Sequence, residues 1–281
     1  MSAIEEKRVV FEVDSVDVVG VLRVPAGGSA AAALVFAGPV TSVKEQSSGR
    51  YAMAMAVRGF VTLSFDHRHF GESGGTPRHY VHPDRKVEEL RAAFGFLQER
   101  PEVHPDRIGA VGICTGAGFL APAVAADDRV KAWGAVAGFF QDACERRKAL
   151  GDDYESELDR AAAAREAFEN TGEVAVVSGP EAFGLEPRPM PQSVSPLALM
   201  SWEHILRWDV QSAAFDITAP TMLVHSDNAF APHLARRFFH SLGGLKEQVW
   251  LESRAHEDFY AQPEQVERVA NHLMRHFKAY L

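Results

Sequence analysis

The sequence of 281 residues is poor in cysteine, with only Cys114 and Cys144, so no disulfide framework is suggested. It has no run of eighteen apolar residues, which excludes a membrane-spanning helix of ordinary length. It has no Lys/Arg cluster, and a net charge of −9 argues against nucleic acid or an anionic membrane as the main partner. The opening stretch "MSAIEEKRVVFEV" carries charges where a signal peptide needs an apolar core, so a cytoplasmic location is expected. Internal repeats and low-complexity segments are absent too, which argues against a solenoid or an array. What is present is 46% hydrophobic and 24% charged residues, the balance of a globular protein able to bury a core without metal or disulfides.

The apolar pattern then divides the chain. Residues 7–24 alternate about "SVD", as two half-buried strands of a hairpin do. The continuous apolar run at 31–38 suits a buried parallel strand, and 61–66, 107–113, 130–138, 219–226 and 247–252 read as further strands. Helical spacing follows most of them, strongest at 84–99, where Val87, Leu90, Ala93, Phe94 and Leu97 share a face, and again over about 263–280. Strand–helix alternation of this kind predicts an α/β fold with a mainly parallel, doubly wound sheet. The interruption is 143–215, with a charged helical run (about 143–170), a short "EVAVV", a Pro/Gly-rich stretch and a Trp-bearing helix near 197–208. Its length exceeds a simple loop. The expected organisation is a core of residues 1–142 and 216–281 with an inserted cap at 143–215, and Cys144 at the start of that cap is read as structural.

The stretch "GICTG", Gly112 to Gly116, joins a predicted strand to a predicted helix. A nucleophile in such a turn adopts strained backbone angles, and the positions two residues to either side must lack a Cβ, which accounts for both glycines. The helix N-terminus points its N–H groups at Cys114, favouring a thiolate and a developing oxyanion. A buried structural cysteine in a packing turn is the competing reading. "GESGG", around Ser73, also fits the serine form of the motif, but it lies in a loop followed by Thr-Pro instead of a helix.

His256, directly after the last strand in "SRAHEDFY", is the expected base, at the sheet edge where ligands bind. Asp227, after the penultimate strand, is the preferred orienting acid, and Asp142, after the strand that precedes the cap, is the alternative. His225 reads as a strand residue. His67 and His69 form a metal-like pair with no third ligand in view, so no metal and no cofactor are expected. The N–H of Thr115 supplies one oxyanion donor. The second comes from the loop Gly38-Pro39-Val40-Thr41, and because Pro39 has no N–H the candidate is Val40.

On these residues the chain resembles the α/β-hydrolase fold nearly end to end, and "FDHRHFGESGG" looks like a loop common in that group. The Cys114 elbow is similar to that of dienelactone hydrolases, which use a Cys-His-Asp triad. It is also similar to the α/β-hydrolase-fold Dieckmann cyclases that release tetramate or pyridone products from polyketide–peptide assembly lines. "GPVTSVKEQ" looks like a loop of the dienelactone-hydrolase-like group, with no role assignable to Lys44 or Glu45. The resemblance implies acyl transfer through an acyl-cysteine on a small-molecule substrate, free or bound to a carrier protein. A thiolate is itself a good leaving group, so thioesters or activated esters are favoured over alkyl esters. The expected activity is an off-loading thioesterase or cyclase of secondary metabolism. The alternatives are a hydrolase of small esters or lactones and, least favoured, a hydrolase fold kept as a binding module. The cap's Phe168, Phe183, Leu185, Met190, Leu197, Leu199, Met200 and Trp202 either roof the site or pack the cap's own core, the latter expected for most of them.

Overall fold

The computed structural model describes residues 3–27, 30–178 and 195–281. β1 (Ile4–Val13) and β2 (Val16–Pro25) pair antiparallel through a two-residue turn at Asp14 and Ser15, with φ of 48° and 61°. Positive φ at both turn residues matches the right-handed twist of the strands. β2 pairs antiparallel with β4 (Val61–Phe65). Parallel pairing then runs from β4 through β3 (Ala31–Ala37), β5 (Val103–Ile113), β6 (Val130–Val136) and β9 (Thr221–His225) to β10 (Lys246–Trp250). Among the described residues the sheet has eight strands in the order β1-β2-β4-β3-β5-β6-β9-β10.

The continuous apolar strands are explained by two cores. On β3, Ala33, Val35 and Ala37 face one core, while Ala32, Leu34 and Phe36 face the other. The first core takes Leu90, Phe94 and Leu97 from α2 (Pro83–Gln98) and Phe119 and Leu120 from α3 (Thr115–Ala125). The second takes Tyr51 and Met55 from α1 (Ser47–Ala56) and Val269, Leu273 and Phe277 from α9 (Pro263–Tyr280). A strand covered on both faces has no polar face to alternate with.

Chain order reverses between β3 and β5, since β4 lies to one side of β3 and β5 to the other. Ala37 at the end of β3 is in register with Gly112 near the end of β5. The loop after β3 and the turn after β5 therefore open side by side at the switch point, where ligands bind in open α/β sheets.

Between β6 and β9 the charged run expected as one helix is two, α4 (Ala143–Leu150) and α5 (Asp153–Thr171). The break falls at Gly151, whose φ of 55° ends α4. The helix expected near 197–208 is shorter, because β8 (Leu197–Ala198) is drawn into antiparallel pairing with β7 (Val176–Val177). A 3-10 turn at Leu199–Ser201 and α6 (Trp202–Ile205) follow. This segment is tied to the 79–82 loop, where Ala198 N–H donates to the His79 carbonyl and Val81 N–H donates to Ser201 Oγ. Leu197 and Trp202 are buried in the first core, and Phe168, Leu199 and Met200 pack with Ala164 and Tyr80. Phe183, Leu185 and Met190 lie outside the described residues.

Candidate active site

Cys114 stands between β5 and α3 at φ 55° and ψ −126°, a conformation that a residue with a Cβ adopts only under tertiary constraint. The constraint is backbone hydrogen bonding. Cys114 N–H donates to the Val136 carbonyl, and its own carbonyl accepts from Ala117 and Phe139. A Cβ on Gly112 would lie 2.3 Å from Ala117 Cα, and one on Gly116 would lie 2.3 Å from the Ala37 carbonyl oxygen. The two glycines of "GICTG" are therefore steric requirements of the turn. Ser73 has a different role, since its buried hydroxyl donates to the Asp66 carbonyl and accepts from Val19 N–H, stitching the 66–75 loop to β2.

The sulfur is not poised as a thiolate. Burial pushes the Cys114 thiol above its ordinary pKa, and only in part do hydrogen bonds from Tyr260 and the Thr115 backbone pull it back. Here the structure departs from the thiolate expected at a helix N-terminus, because desolvation of the sulfur outweighs the hydrogen bonds it receives. Tyr260 is the residue the sequence reading missed. Its half-buried phenol partners the Cys114 side chain, and desolvation raises it well above the ordinary tyrosine range. Its ring stands edge-on to His256, centroids 5.0 Å apart. The available signal was the spacing in "HEDFY", since four residues apart on the short helical turn α8 (Asp258–Ala261) and its approach put both rings on one face. Arg50 and Tyr51 of α1 hold this turn through the carbonyls of Tyr260 and Phe259.

His256 is 8% exposed, and burial lowers its pKa to about 3, with His225 acting in the same direction. Its Nδ1 accepts the Phe230 backbone N–H at 3.2 Å, while Nε2 is buried without a hydrogen-bond partner among the described residues. A nitrogen that accepts carries no proton, so the neutral ring holds its proton on Nε2. The site thus brings together Cys114, Tyr260 and His256, all uncharged.

Neither candidate acid is brought to His256. Asp227 is exposed and paired with Arg236, which together with Trp250 keeps its carboxylate below the usual range. Asp142 caps α4, accepting from Glu145 N–H at 2.7 Å, and pairs with Arg237 at 2.6 Å. The physical reason is competition, since each carboxylate has an arginine closer than the histidine and Phe230 N–H occupies the nitrogen an acid would hold. His225 is a buried strand residue, as expected, placed against the carbonyls of Ser226 and Gly138.

The loop after β3 meets α3 directly, for a Cβ on Gly116 would also lie 2.6 Å from the Gly38 carbonyl oxygen. Thr115 and Val40 thus lie on adjoining segments, the first with its N–H on the sulfur at rest. The "FDHRHFGESGG" rim is a buried ion network. Asp66 accepts from both Lys44 N–H and Nζ, and Lys44 also pairs with Glu45 and Glu72. Lys44 is therefore structural. His67 and His69 are not a metal pair, since His67 bonds Glu89 at 2.5 Å and His69 bonds the Pro77 carbonyl. Among the described residues no group of three or more His, Cys, Asp or Glu side chains is arranged to hold a metal ion.

A mostly parallel eight-stranded sheet with its elbow after β5 and a histidine after β10 is the α/β-hydrolase fold. Within it, residues 72–167 match the dienelactone hydrolase family. The structure is similar to that of hypothetical protein PA2218 from Pseudomonas aeruginosa, with a TM-score of 0.86 and 28% identity over 99% of this chain and 94% of the other. In sequence, 106 residues are 53% identical to PA2218, covering 38% of this chain and 29% of that protein. Thiohydrolase aneE of Aspergillus aculeatus is 32% identical over 134 residues, 47% of this chain and 42% of its own length. The sequence alignments thus span less than half of these curated relatives. DcsB, whose structure was determined with a substrate analogue, shares the fold with a TM-score of 0.84 at 18% identity, covering 99% of this chain and 100% of that one.

Proposed function

We propose that this chain is an acyl-transfer enzyme that forms an acyl-cysteine at Cys114 from a thioester or activated ester. The observation that carries the reading is the strained Cys114 elbow at the β3/β5 switch point, with the loop that holds Val40 opening beside it. In the reaction the Cys114 proton passes to His256 Nε2 as sulfur attacks the acyl carbon. Oxygen takes the negative charge between Thr115 N–H and Val40 N–H, and collapse expels the leaving thiolate, which His256 reprotonates. Because Nε2 carries the proton at rest, this step needs the other tautomer. Nδ1 must exchange the Phe230 N–H for an acceptor of its own proton, so the 226–231 loop shifts on substrate binding. Asp227 lies on that loop and Asp142 beside the neighbouring strand end, and either carboxylate takes the orienting role only by leaving its arginine. Tyr260 stays on the sulfur and stabilises it as charge develops.

A resting pair of neutral thiol and neutral imidazole suits an activated acyl donor, since thioester exchange onto sulfur is nearly isoenergetic whereas an alkyl ester is not. The thiohydrolase name of aneE agrees with this substrate class. We read 143–215 as a cap over the core of 1–142 and 216–281, and an off-loading thioesterase or Dieckmann-type cyclase as the specific activity. A dienelactone-hydrolase-like hydrolase of small esters or lactones is the second reading, favoured by the match over 72–167. Incubation with the N-acetylcysteamine thioester of an N-(β-ketoacyl)amino acid, whose active methylene can reach the thioester carbonyl, separates cyclisation from hydrolysis by product mass. Loss of the thiol alone means cyclisation, and a product heavier by water means hydrolysis. Failure of Cys114→Ala to abolish turnover would sink both.

A further inference from the structure

Lys86 lies on the buried face of α2 and is only 3% exposed. Its Nζ donates to the Val40 carbonyl at 3.0 Å and faces the rings of Phe70 and Phe119 at 4.8 and 5.3 Å. The nearest carboxylates are engaged elsewhere, Glu89 by His67 and by Arg68 at 2.6 Å, and Asp66 by Lys44 at 2.7 Å. Burying an ammonium against a single carbonyl is costly. The cost shows in its acidity, for burial brings the Lys86 pKa down to about 8 against the opposing pull of Glu89 and Asp66. A methionine or leucine would fill the same space without that penalty, so the charge is kept for what it holds.

What it holds is one of the two peptide planes flanking Val40. The plane before Val40 is pinned by Ser42, whose N–H and Oγ donate to the Pro39 carbonyl at 2.9 and 2.8 Å. The plane after Val40 is pinned by Lys86. In a trans peptide the N–H points opposite to the carbonyl, so the Ser42 contacts set where the Val40 N–H aims. Lys86 fixes the next plane, which carries the Thr41 N–H, and so keeps the Val40 backbone from turning. We propose that Lys86 is a positioning residue for the oxyanion hole, holding the Val40 carbonyl back so that the Val40 backbone cannot turn and its N–H stays directed at the acyl oxygen on Cys114. The inference rests on the acyl-cysteine reading given above.

The test compares Lys86→Met and Lys86→Gln with the wild-type protein in two reactions of the same sulfur. Acylation by p-nitrophenyl acetate builds an oxyanion, whereas alkylation by iodoacetamide is a displacement at carbon that builds none. In both variants kcat for p-nitrophenyl acetate should fall roughly tenfold or more. KM should stay within about twofold and the iodoacetamide rate should be unchanged, a split that loss of packing alone would not produce. Glutamine is one atom too short to reach Val40 but keeps a polar head, so it carries the test if the methionine variant does not fold. A folded variant with wild-type kcat overturns the proposal, as does an iodoacetamide rate that falls in step with kcat. If the wild-type protein itself gains no acetyl group at Cys114 by mass spectrometry, the acyl-cysteine reading has failed and the role of Lys86 falls with it. If the wild type is acetylated and the variants match it, only the role of Lys86 is lost.

Discussion

At Cys114 the environment works against ionisation, and that has a measurable consequence. The pH dependence of iodoacetamide alkylation should show a midpoint above the ordinary thiol range, because burial raises the pKa. A thiolate plateau reached near neutral pH would contradict the resting state described. Tyr260→Phe removes a partner of the sulfur and should slow alkylation at fixed pH by roughly three- to tenfold, the worth of one hydrogen bond. His256→Ala should lower acylation by about 100-fold or more, the usual scale of a general base. Comparing Asp227→Asn with Asp142→Asn then tells which carboxylate, if either, leaves its arginine during turnover. The places of Cys114 after β5 and of His256 after β10 were legible in the sequence because each follows a strand with a distinctive frame. The acid was not, since two aspartates follow strand ends and the arginines that capture them, Arg236 and Arg237, are distant from the motif in sequence. Tyr260 was hidden for a similar reason, as its contact with the sulfur exists only once α8 folds against α1.

The elements that make the elbow tolerate little change. Gly116→Ala would place a methyl group 2.3 Å from a backbone oxygen, so it should destabilise the protein by about 3 kcal/mol or more, read as a lowered urea midpoint. Gly151→Ala, at φ 55° with open space around the Cβ position, should cost about 1–3 kcal/mol through backbone strain alone. A larger loss at Gly151 than at Gly116 would mean that the α4–α5 corner, and not the elbow, governs stability. Strands and helices of the core were readable because apolar runs of five to seven residues and 3.6-residue periodicity carry their own signal. The region between β6 and β9 was readable only as an interruption. Gly151 divides its charged run, and β7 pairing shortens the helix that Leu197 and Ala198 would have begun, both effects of tertiary context on weak local preference.

Across the whole molecule, burial lowers the pKa of His67, His225, His256 and His276. Unfolded, each takes a proton near pH 6.5, and folded, each resists it, so the unfolded state binds more protons below that pH. Stability should therefore fall as pH drops from 7 to 5, by up to about 1.4 kcal/mol per pH unit for each histidine fully shifted. A urea midpoint that is flat or higher at pH 5 would contradict this. No helix among the described residues is long and apolar enough to cross a membrane. The central claim is that Cys114 carries the acyl group, and intact-mass analysis with peptide mapping after brief exposure to an acyl N-acetylcysteamine thioester tests it most directly. One acyl adduct is expected, located on Cys114, that disappears with time and is absent in Cys114→Ala. Turnover that persists in Cys114→Ala, or an adduct that maps to Ser73 or Cys144 instead, would contradict it.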